Sequence, residues 1–206
     1  MIAKAPQIGF DRFIQLDWVA AALGVRAGKG SLDELSAQLR AAGLGKEALA
    51  KTQTKLNALV LEPRADLVDF IGRGVGLFAG ARTPADVAPF AWGAALAAYP
   101  YFGRVAEFTG RLTSIQGDCS VAEVHRRMSE VYGDREVTKR ATQAVLQTQA
   151  NWGAVMARVE AWTSTRTPSH CSRSVALAEI VSGPGMPSLP MTMMSVGAFT
   201  TICELS

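Results

Sequence analysis

Two Ser-x-x-Glu tetrads constrain this chain more than any other feature: Ser31-Leu32-Asp33-Glu34 and Ser120-Val121-Ala122-Glu123. In such a box the Ser hydroxyl accepts from a free backbone N–H of a first helical turn, and the Glu carboxylate reaches back to the N–H of the Ser. Both stretches are therefore committed to helix. The apolar spacing behind them agrees: Leu32, Leu35 and Leu39 in one, Val121, Val124, Met128 and Val131 in the other. Each helix is stopped by glycine, at Gly43-Leu44-Gly45 and at Tyr132-Gly133-Asp134. A second helical pattern follows each stop at once, over 46–61 through Leu49, Leu56, Leu59 and Val60, closed by Pro63, and over about 135–151. In the second pair Asp134 is the expected N-cap.

Other segments read the same way. Phe10, Phe13, Ile14, Leu16, Trp18, Val19 and Leu23 approach a helical stripe ended by Gly24 and the Gly28-Lys29-Gly30 turn. Residues 65–79 form a helix loosened by Gly72, Gly74 and Gly76, and Thr83-Pro84 opens an apolar helix to Ala98. Residues 101–115 predict an amphipathic helix with Phe102, Val105, Phe108 and Leu112 inside and Arg104 and Arg111 outside. The expected fold class is mainly α, a helical bundle with helix-turn-helix or winged-helix-like units. Four segments follow: a helical unit at 1–62, central apolar helices at 63–117, a winged-helix-like unit at 118–181 and an irregular, Pro-, Met- and Ser-rich tail at 182–206.

Composition narrows the function. Of 206 residues, 49% are hydrophobic and 19% charged, enough to bury a core and too apolar for a disordered chain. Cys119, Cys171 and Cys203 are widely spaced and odd in number, which argues against a disulfide framework and for a reducing cytoplasm. The first residues lack the apolar core of a secretory signal. Residues 87–103 carry no charge, but they fall short of the roughly 20 residues a spanning helix needs, and Pro100 interrupts them. They read as a buried helix, so no membrane partner is expected. His125 and His170 have no partners at metal spacing, and no G-x-S-x-G, Walker A or H-E-x-x-H motif is present. The chain reads as non-enzymatic, with no metal, cofactor or small-molecule substrate.

The net charge of +3 permits an anionic partner, provided the cations cluster. They do so on the last helix. Its inner side would be Val137, Ala141, Ala144, Val145 and Thr148, leading to Trp152. Its outer side would be Arg135, Lys139, Arg140, Gln143 and Gln147. Arg and Lys pair with guanine O6/N7, and Gln pairs bidentately with adenine N6/N7. Arg126 and Arg127 on the preceding helix suit phosphate. Beyond Gly153, AVMARVEAW and the basic TSTRTPSHCSRS predict a winged-helix hairpin with Arg166 and Arg173 at its tip. Against this stands a plain helical hairpin with a solvated face, since Glu123, Glu130, Asp134 and Glu136 lie nearby.

LDWVAAAL near the start, Trp92 followed by AYPYF, GRL with QG behind it, and RRMSEVYGDREVTKRA with VLQT and WGAV together resemble the small BrxA-like proteins of bacteriophage-exclusion (BREX) islands. The likeness spans roughly residues 10–158 and is most specific at YGDREVTKRA and NWGAV. It implies a small, largely helical, cytoplasmic bacterial protein that binds double-stranded DNA through winged-helix-type elements, without catalysis, beside other defence subunits. It points to Arg126, Arg127, Arg135, Lys139 and Arg140. The rival reading is a helical protein–protein adaptor without DNA contact, docking through exposed Phe78, Tyr101 or Trp162.

Overall fold

The computed structural model describes residues 7–157 and 162–164. Eight α-helices account for most of these residues, and they fall into two compact units. One is Ile14–Ala98. The other joins the described residues up to Phe13 to those from Tyr99 to Ser164.

In Ile14–Ala98, α1 (Leu16–Arg26) buries Leu16, Trp18, Val19, Ala22 and Leu23. The stripe seen from Phe10 onward is helical only from Leu16; residues 7–15 form no helix. Phe10, which belongs to the other unit, is nevertheless fully buried: its ring meets Tyr99 and Phe102 of that same unit edge-on at 5.2 Å. The apolar spacing was right about burial there and wrong about helix. α2 (Leu32–Ala41) carries the first capping box complete, with Glu34 N donating to Ser31 Oγ at 3.2 Å and Ser31 N to Glu34 Oε2 at 2.8 Å. Gly43, at φ +74°, makes the turn into α3 (Lys46–Leu56). A π-helical turn, Asn57–Leu61, extends α3, and Leu59 and Val60 are both fully buried on it.

A single 3-10 turn leads into α4 (Val68–Phe78), and another, Pro84–Val87, into α5 (Ala88–Ala98). Gly74 on α4 lies flat against Phe90 of α5: a Cβ there would stand 2.3 Å from the ring. Nine of the eleven α5 residues are buried, as the charge-free sequence requires. Arg64 Nη2 caps its end by donating to the carbonyl of Ala97 at 3.3 Å. No described helix is long and apolar enough to cross a membrane.

The second unit is built on α6 (Pro100–Gln116), α7 (Val121–Tyr132) and α8 (Glu136–Asn151). Two short strands follow, β1 (Val155–Ala157) and β2 (Trp162–Ser164), paired antiparallel with Val155 opposite Ser164 and Ala157 opposite Trp162. The inner face of α6 is Tyr101, Phe102, Val105, Thr109 and Thr113, whereas Phe108 and Leu112 are only half-buried. The two threonines go inside because each hydroxyl donates to its own helix, Thr109 to Val105 O at 2.8 Å and Thr113 to Thr109 O at 2.9 Å. A buried hydroxyl so bonded costs little.

Candidate nucleic-acid interface

The second capping box opens α7. Ser120 Oγ accepts from Glu123 N, and Ser120 N and Oγ donate to Glu123 Oε2 at 2.7 and 2.8 Å. Gln116 Nε2 adds a bond to Oε1 at 3.1 Å. The Ser120 backbone bond, then its hydroxyl, then Gln116 hold the Glu123 carboxyl below the usual glutamate range. The buried positions of α7 are Val124, Met128 and Tyr132, four residues apart; Val131, expected inside, is exposed.

Three residues, Gly133 to Arg135, separate α7 from α8, and Gly133 takes φ +83°. The N-cap of α8 is Arg135, not Asp134. Arg135 turns back, its Nη2 donating to the carbonyl of Tyr132 at 2.9 Å, and Thr138 Oγ1 donates to the carbonyl of Gly133 at 2.9 Å. Together they tie the two helices across the turn. Asp134 stays exposed, with its Oδ1 3.9 Å from His125 Nε2.

Inward, α8 is held along its length. Thr138, Ala141, Thr142, Ala144, Val145, Leu146, Thr148 and Gln149 are buried. Val137, expected inside, is 39% exposed, and Thr138 takes its place. The Tyr101 hydroxyl reaches the same stretch: it donates to the Thr138 carbonyl at 2.9 Å and lies 2.9 Å from Thr142 Oγ1. Tyr132 packs edge-on against the same ring at 4.8 Å. Burial raises the pKa of both phenols.

Outward, Arg135, Lys139, Arg140, Gln143 and Gln147 are all exposed, and so is Arg126; Arg127 is half-exposed. Arg127 sits 3.5 Å from Glu130, and Arg140 Nε 3.7 Å from Glu136. Lys139 has no ion pair among the described residues. From Ser120 to Asn151, five Lys and Arg residues face four Asp and Glu, a surplus of one. The strip is continuous and solvent-facing, and it is mixed in sign. Arg104 and Arg111 stay out of it, both held by Glu107 at 2.6 and 2.7 Å.

Cys119, between α6 and α7, forms a single-residue β-bridge. It is buried, and burial, with Glu123 and Asp118 nearby, pushes its thiol up to about 11, so it is inert at neutral pH. The order of the unit is thus helix, bridge, helix, turn, helix, hairpin. The expected hairpin tip at Arg166 and Arg173 is not borne out: Val155–Ala157 pairs with Trp162–Ser164, so both arginines follow the second strand, and like His170 and Cys171 they lie outside the described residues. Among the described residues no group of three or more His, Cys, Asp or Glu could hold a metal ion. Phe78 and Tyr101, the expected docking residues of an adaptor, are buried, the first beside Phe90 and the second under α8; the side chain of Trp162 is outside the described set.

Sequence reasoning missed Tyr101 as the anchor of α8, the bridge at Cys119, and Glu136 as a member of the outward strip. Only Glu136 had a local signal, its four-residue spacing from Arg140. No family model, no curated protein and no solved structure matches the chain.

Proposed function

We propose that the chain is a non-enzymatic double-stranded-DNA-binding protein that docks α8 in a major groove. One observation carries this reading: Lys139, Arg140, Gln143 and Gln147 stand exposed on a helix whose opposite side is buried along its whole length. A helix anchored in that way offers pre-positioned donors to base edges. The order of elements from α6 to β2, with the Cys119 bridge, supports a winged-helix reading of this unit, with the hairpin beside α8 as the wing. Arg126 and Arg127 on α7 would contact phosphate, as the first helix of a helix-turn-helix does. The resemblance to small proteins of bacteriophage-exclusion islands gives the setting: a cytoplasmic bacterial defence system with further subunits as partners.

Affinity in this reading comes from phosphate neutralisation, so it falls with salt. The test is duplex binding across a salt series, with wild type against the Arg135→Ala/Lys139→Ala/Arg140→Ala variant. The variant binds at least tenfold more weakly with a shallower salt slope. An unchanged affinity would reject this surface.

A second reading is favoured by Ile115, Leu32 and Leu77, which are 83%, 54% and 52% exposed. These, rather than Phe78 or Tyr101, would serve a protein–protein adaptor. Co-purification of a partner subunit with no duplex shift at low salt would select it.

A further inference from the structure

Building on the DNA-binding reading, we infer that Glu136 is a specificity-determining residue that selects a cytosine. Glu136, Arg140, Gln143 and Gln147 follow one another at intervals of four, three and four residues, so they share one axial strip of α8. Glu136 is the first helical residue, at the end that enters the groove in helix-turn-helix docking. Its side chain is 69% exposed, and its carboxylate is 3.7 Å from Arg140 Nε, an exposed contact that leaves it free to exchange partners.

A carboxylate at the leading turn of a helix aimed at a polyanion repels every duplex. Its repulsion is offset where it meets a base donor, which would make it a selector against the other sequences. The major groove offers two such donors, cytosine N4 and adenine N6. Adenine places the N7 acceptor beside its amino group, and an ionised carboxylate accepts without donating, so N7 and Glu136 repel. Cytosine carries its amino group with no acceptor of its own in the groove. Glutamine, by contrast, matches adenine at both atoms, and Gln143 and Gln147 already occupy the strip.

The test is selection of bound duplexes from a random-sequence library with the full-length protein, in wild-type, Glu136→Gln and Glu136→Ala forms, together with affinity for a random duplex. In wild type, cytosine is enriched about five- to hundredfold at one fixed position. Glu136→Gln moves that preference to adenine. Glu136→Ala flattens the position and binds the random duplex more tightly. If both variants keep the wild-type preference at every position, Glu136 is only a helix-terminus acid and the inference is overturned. Binding that depends on Lys139 and Arg140 without any cytosine preference likewise overturns this inference alone. Absence of duplex binding by wild type overturns the underlying reading as well.

Discussion

The two pairs of consecutive helices, α2–α3 and α7–α8, begin alike and end differently. Both open on a complete Ser–Glu capping box, and both turn on a glycine with positive φ, Gly43 and Gly133. Both send out a second helix with cations outside. But α3 buries only Thr52 and Leu56 before it passes into the π-helical turn, whereas α8 buries eight positions and is tied across its turn by Arg135 and Thr138. Local sequence makes a helix in both cases. What separates a lightly held helix from one fixed along its length is the number of anchors behind it.

Four experiments break or sharpen that contrast. The largest effect is expected from Leu146→Ala, at a fully buried α8 position, which should cost about 3 kcal/mol. Leu49→Ala, at a half-buried site on α3, should cost about 1 kcal/mol. Equal losses in urea unfolding would erase the distinction. Next, Tyr101→Phe removes the hydroxyl that reaches α8 and should cost about 1–2 kcal/mol. Its alkaline behaviour is a second readout. The folded pKa values of Tyr101, Tyr132 and Cys119 lie above their unfolded ones, so the stability they contribute is complete below the unfolded values. It is lost as pH rises through the folded ones. Tyr101→Phe and Cys119→Ala should each lessen the loss of stability above neutral pH in circular-dichroism titrations.

Smaller again, Ser31→Ala and Ser120→Ala should each cost about 1 kcal/mol. Glu123, with its folded pKa depressed, contributes stability present above the unfolded glutamate value and lost as pH falls through the folded one. Ser120→Ala should therefore flatten the acid limb of the stability profile; an unaltered limb would show that the Ser120 bonds do not set it. The smallest change is on the outward strip, where Gln143→Ala should leave stability within about 0.5 kcal/mol while relaxing base preference in the library selection. On α3, Lys51→Ala should alter neither stability nor base preference to a comparable extent.

Features written within a few neighbouring residues were legible. The capping boxes, the glycine turns and the buried α5 all rest on local chemistry or on plain apolarity. What escaped was the choice of inward face. Val137 was placed inside and Thr138 left out, because a hydroxyl counts as polar until its own helix satisfies it. Tyr101 was placed on a surface as an exposed docking residue, and the partner that draws it inside, the carbonyl of Thr138, is far along the chain. The Cys119 bridge carried no local pattern, since a one-residue β contact is decided by its partner. On the outward strip, Arg135, Lys139, Arg140, Gln143 and Gln147 were legible as exposed because helical spacing alone separates them from Ala141 and Val145. Glu136 was read as a diluting charge, since a list of neighbouring acids does not say which of them share the strip.

Thr109, Thr142 and Thr148 each satisfy a hydroxyl within their own helix, through Val105 O, Thr138 O and Ala144 O. Those bonds would survive a lengthwise slip of α8 over α6. The phenol of Tyr101 is different, because it reaches from α6 to one particular peptide of α8. It works as a dowel does in joinery, setting one point of α6 against one point of α8.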